Sequence, residues 1–259
     1  MTRLSVNLNK VALVRNARAG DTPGPRARPR LLDAAAAVVG AGAHGLTLHP
    51  RPDRRHALPE DVEDFAAWLA EGGHTDVELN VEGNPFHGPA PRYPGFVELL
   101  EQVRPAQATL VPDAAAQLTS DHGWTAADAD RLRPIVARLT AAGCRVSLFV
   151  DADERAVEAA ADVGAHRVEL YTGPWAEAAA EGRGDELLPR YAAAARRAHA
   201  LGLGVNAGHD LDLTNLGPFL QAVPGVDEVS IGQALVADSF DHGLHAAVSA
   251  YLRVIEGAR

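Results

Sequence analysis

The chain has 259 residues, and its 34 acidic and 24 basic side chains give a formal net charge of −10 at pH 7. That charge argues against a general nucleic-acid partner, and a composition of 47% hydrophobic and 22% charged residues argues against disorder throughout. Cys144 is the only cysteine, so an intramolecular disulfide and a multi-cysteine metal site are excluded. The apolar runs are much shorter than the roughly 20 residues that cross a membrane, and no secretory leader is recognisable. We therefore expect a cytoplasmic protein without a membrane partner.

Eight short apolar runs, each bounded by Gly, Pro, Asn or Asp, predict β-strands. They cover Leu4–Leu8, Gly45–His49, Val77–Glu82, Ala108–Pro112, Arg145–Asp151, Arg167–Thr172, Gly204–His209 and Glu228–Gly232. Segments with helical periodicity follow the runs and predict eight helices. These cover Leu31–Gly40, Glu60–Glu71, Gly95–Val103, Ala126–Ala142, Glu154–Val163, Glu186–Leu201, Leu216–Val223 and Leu235–Glu256.

The alternation of apolar strands with helices predicts a parallel β-sheet, because such strands need helices on their outer face and long crossovers between them. Eight units in 259 residues are about 32 residues each, which predicts an α/β protein with a single (β/α)8 TIM-barrel domain over residues 1–259. An open doubly wound sheet is the alternative. It is disfavoured because the residues after the first strand lack the G-x-G-x-x-G pattern of a dinucleotide-binding turn.

Three connections are longer than ordinary turns between strands and helices. They cover Val11–Arg30, Gly83–Pro94 and Gly173–Asp185. We interpret them as extended active-site loops that close over a substrate, with disordered insertions as the alternative.

In a (β/α)8 barrel the active site lies at the carboxyl ends of the strands, and polar side chains occur there after nearly every predicted strand. The candidates are Asn7, Asn9, Lys10, Arg15, Arg18, His49, Arg51, Arg54, Arg55, His56, Asn80, Glu82, Thr119, Asp121, His122, Asp153, Glu169, Thr172, Asn206, His209, Gly232 and Gln233. Lys10 is the only lysine of the chain. Asp151 is interpreted as the N-cap of the following helix.

Two features of these strand ends predict phosphate binding. Residues 49–56 are rich in Arg and His, and guanidinium groups suit phosphate or carboxylate oxygens. A solvated basic loop paired with the acidic residues at 60–64 is the alternative. Gly208 and Gly232 lie at the ends of the seventh and eighth strands, where barrels often bind a phosphate through backbone N–H groups.

Four acid and base groups are expected to face one barrel mouth: His49, Glu82, Glu169 and His209. Such a set can carry out successive proton transfers, each group tuned by its burial and its neighbours. Two His and two carboxylates are also compatible with a divalent metal ion, although no local metal-binding spacing such as H-E-x-x-H is present. The missing spacing disfavours a metal ion.

A series of motifs in chain order resembles the pyridoxine 5'-phosphate synthase family of deoxyxylulose-dependent vitamin B6 biosynthesis, and together they extend over essentially the whole chain. The motifs are Ser5–Arg18 (SVNLNKVALVRNAR), Gly45–His56 (GLTLHPRPDRRH), Asn80–Glu82, Thr109–Asp113, Val146–Asp153, Val168–Gly173, Val205–His209 and Ser230–Gly232. The resemblance implies a barrel enzyme of the transferase class that condenses 1-deoxy-D-xylulose 5-phosphate with 3-amino-2-oxopropyl phosphate. The implied products are pyridoxine 5'-phosphate, inorganic phosphate and water, and the implied assembly is a homo-octamer. The resemblance also implies that no metal and no organic cofactor take part.

The resemblance also implies roles for individual residues. His49 and Glu82 correspond to proton acceptors, His209 to a proton donor, and Glu169 to a group that stabilises charge in the transition state. The positions that hold deoxyxylulose phosphate correspond to Asn9, Lys10, Arg51, His56 and Thr119. The positions that hold the aminoketone phosphate correspond to Asn7, Arg18, Asp210, Gly232 and Gln233.

Four of these positions depart from the commoner family pattern, which has Asp-His in place of Asn9-Lys10, Gly in place of Asp210 and His in place of Gln233. A carboxylate beside a phosphate is unfavourable, so we expect Asp210 to contact a phosphate only through its backbone N–H. Two other classes of function remain open at this stage. One is a different barrel enzyme, either a metal-dependent sugar-phosphate isomerase or a lyase that forms a Schiff base with Lys10. The other is a non-catalytic barrel that binds a phosphorylated metabolite.

Overall fold

The fold comes from a computed structural model, which describes residues 1–20, 22–24, 26–114 and 117–258. Its eight strands are β1 (Arg3–Asn7), β2 (Gly45–Leu48), β3 (Glu78–Gly83), β4 (Gln107–Leu110), β5 (Arg145–Val150), β6 (Arg167–Tyr171), β7 (Gly204–Gly208) and β8 (Glu228–Ile231). They form a closed parallel barrel in chain order, and β1 closes it by pairing with both β2 and β8. The predicted TIM-barrel fold is confirmed.

The described residues contain eleven α-helices. They are α1 (Asn9–Ala19), α2 (Leu31–Gly40), α3 (Pro59–Glu71), α4 (Phe96–Val103), α5 (Ala129–Ala141), α6 (Glu154–Asp162), α7 (Gly173–Ala180), α8 (Leu188–Ala200), α9 (Leu216–Ala222), α10 (Gln233–His242) and α11 (Leu244–Gly257). Two short 3₁₀ turns lie at Ala126–Asp128 and Gly184–Glu186. None of these helices is both long enough and apolar enough to cross a bilayer.

Two of the predicted long connections contain a helix that the sequence pattern did not predict. Helix α1 occupies the first half of the Val11–Arg30 connection, of which Asp21 and Pro25 lie outside the described residues. Helix α7 occupies most of the Gly173–Asp185 connection. The helical pattern of α1 is hidden because the polar Arg15 is buried while the apolar Leu13 and Val14 are exposed.

The predicted last helix is divided in two. Gly243 lies between α10 and α11 with φ of 78°, a backbone conformation that glycine adopts without steric cost. The third long connection, Gly83–Pro94, has no helix and contains an isolated antiparallel bridge between Ala90 and Tyr93. Its Phe86 ring packs edge-on against Trp124, with 5.9 Å between the ring centroids.

The barrel interior is polar, whereas the outer faces of the strands are apolar. Ser5 and Thr47 join their hydroxyls at 2.7 Å, and the Asn80 amide donates to the Thr47 hydroxyl at 3.3 Å. Below them, the Gln107 amide on β4 donates to the Glu228 carboxylate on β8 across the barrel. Inward residues therefore alternate with buried outward residues along each strand, and the same alternation brings the next inward residues to the mouth.

Candidate active site

A cavity of about 300 Å³ opens at the carboxyl ends of the strands. Its lining includes every residue to which the family resemblance assigns a role except Arg18. These residues are Asn7, Asn9, Lys10, His49, Arg51, His56, Glu82, Thr119, Glu169, His209, Asp210, Gly232 and Gln233. Arg18 lies on α1 with its side chain exposed and does not contribute to the lining.

His49 lies directly after β2. It is held by two asparagines, one at the end of β1 and one at the start of α1. Its backbone N–H donates to the side chain of Asn9 at 2.8 Å, and Asn9 in turn donates its backbone N–H to Asn7 at 3.0 Å. The imidazole lies 3.8 Å from Glu82 through Nδ1 and 3.9 Å from Asp113 through Nε2. Burial, together with the nearby charge of Arg51, holds the pKa of His49 well below its usual range. The ring is neutral at physiological pH and can accept a proton.

Two buried carboxyl groups, Glu82 and Glu169, face the cavity from β3 and β6. Burial and the charge of Asp113 raise the pKa of Glu82 to about 8. Burial and the charge of Glu82 raise the pKa of Glu169 well above its usual range. A side chain at Gly208 would collide with Glu169, because its Cβ would lie 2.3 Å from Oε1. Glycine at that position therefore leaves room for the carboxyl group.

The raised pKa of Glu82 makes the free energy of unfolding depend on pH. In the unfolded chain this carboxyl loses its proton near pH 4.3, whereas in the folded protein it keeps the proton until about pH 8. Between these values the folded state binds more protons, so stability falls as the pH rises. We expect the melting temperature of the wild-type protein to fall more steeply from pH 5 to 9 than that of Glu82→Gln.

The control for this prediction is Glu256→Gln, which changes an exposed carboxylate on α11 and is expected to follow the wild type. Glu169 stays in place in all three proteins, so the slope in Glu82→Gln should be reduced rather than abolished. Parallel melting curves for the wild type and Glu82→Gln across this range would contradict the assignment of a protonated Glu82.

The basic segment after β2 is a built part of the site rather than a solvated loop. Arg51 is buried, pairs with Asp113, and donates to the backbone carbonyl of Gln117 at 2.8 Å. Arg55 donates to the carbonyls of Gln117 and Leu118. Both guanidinium groups thereby hold the segment after β4 over the cavity.

Only one arginine of this segment follows the alternative prediction of pairing with the acidic residues at 60–64. Arg54 binds Glu60 at 3.0 Å and lies away from the cavity lining. The loop itself is held by Asn16 of α1, whose side-chain amide donates to the carbonyl of His56 at 2.7 Å and to those of Arg54 and Arg55.

Sequence reasoning missed two contributors to the site. Asp113 is fully buried beside Arg51 and His49, and Ser120 donates its hydroxyl to the Asp113 carboxylate at 2.9 Å. The available signal for Asp113 was an acidic residue shortly after an apolar strand.

The N-cap prediction for Asp151 was wrong. Asp153 caps α6, whereas Asp151 accepts the backbone N–H of Gly123 at 3.2 Å.

The end of β7 presents the imidazole of His209. Its Nε2 lies 2.7 Å from the Thr119 hydroxyl, and its Nδ1 lies 2.8 Å from the Asp210 carboxylate. Next to it, β8 ends at Ile231, and α10 begins at Gln233 with no acidic residue in its first turn. Unpaired backbone N–H groups at such a helix start favour an anion.

Two features concern the alternative enzymes: the state of Lys10, which a Schiff-base lyase would use, and the presence of a metal site, which an isomerase would need. Burial and the charges of Arg55 and Arg51 lower the pKa of Lys10, and its ammonium group also interacts with the Asp210 carboxylate. Across residues 1–20, 22–24, 26–114 and 117–258, no three His, Cys, Asp or Glu side chains are grouped in a way that could hold a metal ion.

Residues 4–257 match the model of the family described as pyridoxal phosphate biosynthesis protein PdxJ. The chain belongs to this family. It is 51% identical to the pyridoxine 5'-phosphate synthase of Xanthomonas oryzae pv. oryzae over 259 residues, which are 100% of this chain and 98% of that protein. It is 52% identical to the protein of the same name from Albidiferax ferrireducens, with 100% and 99% covered.

More distant solved structures share the barrel. Tryptophan synthase from M. tuberculosis superposes with a TM-score of 0.62 at 12% identity and covers 98% of this chain and 92% of that chain. Phosphoribosyl anthranilate isomerase from Thermus thermophilus gives 0.56 at 16% identity, with 100% of both chains covered. At these identities the likeness concerns the fold alone.

Proposed function

We propose that this chain condenses 1-deoxy-D-xylulose 5-phosphate with 3-amino-2-oxopropyl phosphate to give pyridoxine 5'-phosphate, inorganic phosphate and water, as an enzyme of the transferase class. Membership of the PdxJ family and relatives named pyridoxine 5'-phosphate synthase support this activity. The observation that carries it is the convergence of His49, Glu82, Glu169 and His209 on one cavity. Binding alone would not require four proton-transfer groups around a single cavity.

Two groups of anion-binding residues around the cavity fit two phosphorylated substrates. In the first group, Lys10, Arg51 and His56 present cationic or hydrogen-bonding groups, which suits the deoxyxylulose phosphate together with Asn9 and Thr119. In the second group, the start of α10 presents backbone N–H groups. We assign the aminoketone phosphate to this second group, at Gly232 and Gln233 and near Asn7.

The four acid and base groups are assigned different roles in proton transfer. Neutral His49 accepts a proton, and Glu82, with a pKa of about 8, can lose and regain one near neutral pH. His209 donates a proton to an oxygen that departs. The raised pKa of Glu169 keeps it protonated, so it can donate a hydrogen bond to negative charge that develops in the transition state.

The remaining predictions are parts of the same proposal. Residues 1–259 form one barrel domain of a cytoplasmic homo-octamer, although Arg259 itself lies outside the described residues. Exposed apolar side chains at Leu13 and Val14 on α1 and Phe240 on the neighbouring α10 provide a surface for subunit contacts. The predicted contact of Arg18 with the aminoketone phosphate has no support within a single chain, because Arg18 lies outside the cavity lining.

The test is an assay of purified, chelator-treated protein with both substrates, in which pyridoxine phosphate and inorganic phosphate are measured together. We expect equal yields of the two products, and no pyridoxine phosphate when either substrate is omitted. Conversion of the sugar phosphate without formation of pyridoxine phosphate, lost with the chelator and restored by a divalent metal, would favour the isomerase alternative. Trapping of a substrate on Lys10 by borohydride would favour the Schiff-base lyase.

A further inference from the structure

The turn after β7 has an unusual backbone that places two side chains against each other. His209 and Asp210 are consecutive non-glycine residues with φ of 82° and 59°. The left-handed region is uncommon for such residues, although Asp, Asn and His tolerate it better than most. In this conformation the His209 Nδ1 lies 2.8 Å from an Asp210 carboxylate oxygen.

The imidazole of His209 has a contact at each ring nitrogen and a third contact with an aromatic ring. Its Nε2 lies 2.7 Å from the hydroxyl of Thr119, and its ring meets the Tyr171 ring edge-on, with 5.3 Å between the centroids. Both His209 and Thr119 line the cavity. The ring therefore has Nε2 against Thr119 and Nδ1 against Asp210, and Asp210 lines the cavity as well.

The partner of Nδ1 decides where the proton of the ring is carried. An ionised carboxylate can only accept a hydrogen bond, so Nδ1 must carry the hydrogen. The hydrogen bond from His209 and the charge of Lys10 lower the pKa of Asp210, which keeps this carboxylate ionised. In the neutral ring Nε2 then carries no hydrogen and accepts the hydroxyl hydrogen of Thr119, and it is the nitrogen that is protonated in the imidazolium form.

We propose that Asp210 is a positioning residue for His209, which fixes Nε2 as the proton-donating atom and stabilises the imidazolium form. This inference rests on the proposed function, in which His209 is the proton donor. In that step the Nε2–H bond breaks and an O–H bond forms on the departing oxygen. The ring becomes neutral and keeps the hydrogen on Nδ1, which stays hydrogen-bonded to the Asp210 carboxylate. A carboxylate that orients a histidine in this way acts through geometry and charge and does not take the proton itself.

The sequence-based prediction for Asp210, a contact of its backbone N–H with the aminoketone phosphate, stays a prediction. It is compatible with the pairing to His209, which uses the carboxylate. Other charged or titratable groups line the cavity with His209 or act on the adjoining Tyr171. They are Glu169 and Tyr171 on β6, Lys10 on α1, Asp121 after β4, Asp151 after β5, and Glu177 on α7.

The test compares Asp210→Asn with Glu177→Gln. Asn keeps the size, tolerates the left-handed backbone, and can still accept a hydrogen bond, so the substitution removes mainly the charge. Glu177→Gln removes an equal charge that also acts on Tyr171 but is not hydrogen-bonded to His209 in the described structure. Activity that needs a protonated His209 is lost as the pH rises, and loss of the Asp210 charge should move that alkaline limb of kcat to lower pH.

We expect a shift of about one pH unit in Asp210→Asn, which corresponds to about a tenfold loss of kcat on the alkaline side with little change in KM. Glu177→Gln should leave the limb in place. Asp210→Asn should have no further effect in a His209→Gln background, because the two residues act as a unit. An unmoved limb, or an effect that persists without His209, would overturn the proposal.

A second measurement does not depend on turnover. Nitrogen-15 NMR of the histidine side chains should show neutral His209 with its hydrogen on Nδ1 in the wild type, and a smaller share of that tautomer in Asp210→Asn. If the wild type formed no pyridoxine phosphate but this signature held, the proposed function would fail while the positioning role stood. A neutral His209 protonated on Nε2 in the wild type would refute the positioning role.

Discussion

Replacement of His49 by Gln is expected to lower kcat for pyridoxine phosphate formation by about 10²- to 10⁴-fold. Gln fills a similar volume and keeps a hydrogen-bonding end, but it cannot accept a proton. The effect should be large because the buried imidazole is neutral and lies within 4 Å of the carboxyl groups of Glu82 and Asp113. Steady-state kinetics with both substrates would measure it.

The matched control is His245→Gln, which changes an exposed histidine on α11 and should retain wild-type kinetics. The KM for deoxyxylulose phosphate should change little in His49→Gln, because Arg51 and its partner Asp113 are untouched. A kcat within a factor of about three of the wild type would exclude His49 as an essential base and would shift that role to Glu82.

Replacement of Asp61 by Ala is expected to lower the free energy of unfolding by about 3–5 kcal/mol, which corresponds to roughly 6–20 °C in melting temperature. Asp61 binds the guanidinium of Arg15 through both oxygens, at 2.6 and 2.8 Å, and both side chains are buried. It also accepts the backbone N–H of Leu58 at 2.8 Å at the start of α3. Its removal leaves the buried Arg15 cation without its carboxylate, although the neutral Asn16 side chain still accepts from Nε at 2.9 Å, and that uncompensated charge accounts for most of the expected loss.

Glu158→Ala provides the comparison, because it breaks an ion pair with Arg197 in which both side chains are well exposed. Such pairs contribute at most about 1 kcal/mol, so the two variants should differ clearly in thermal or denaturant unfolding. An equal and small loss in both would mean that the Arg15–Asp61 pair adds little net stability to the fold. Arg15 neighbours Asn16, so Asp61→Ala should also weaken the support of the segment that carries Arg51 and His56.

Much of the fold was predictable from local sequence patterns. Each of the eight strands begins and ends within about two residues of its prediction, because short apolar runs bounded by turn-forming residues are strong local signals. The patterns failed for α1 and α7. In α1 the buried ion pair of Arg15 reverses the usual pattern, with a charged residue inside and apolar residues outside.

The candidate site was predictable in its membership more than in its contacts. Residues at the carboxyl ends of parallel strands must meet at one mouth, so His49, Glu82, Glu169 and His209 could be grouped before any coordinates were known. Which of them touch each other depends on side-chain directions and on loops from distant parts of the chain. The contact of Thr119 with His209 joins residues 90 positions apart and has no local signature.

The sequence by itself determined the closed barrel, its strand ends, and the acid, base and cationic groups at the mouth, because each follows from a pattern of a few neighbouring residues repeated along the chain. Only the tertiary structure decided that Arg51 pairs with the buried Asp113, that Asp210 is directed to His209, and that Arg18 lies outside the cavity. These contacts depend on burial and on charged groups that come together from separate strands. Packing between distant parts of the chain determines the burial and the neighbours of each group, and the spacing of residues along the sequence does not reveal either.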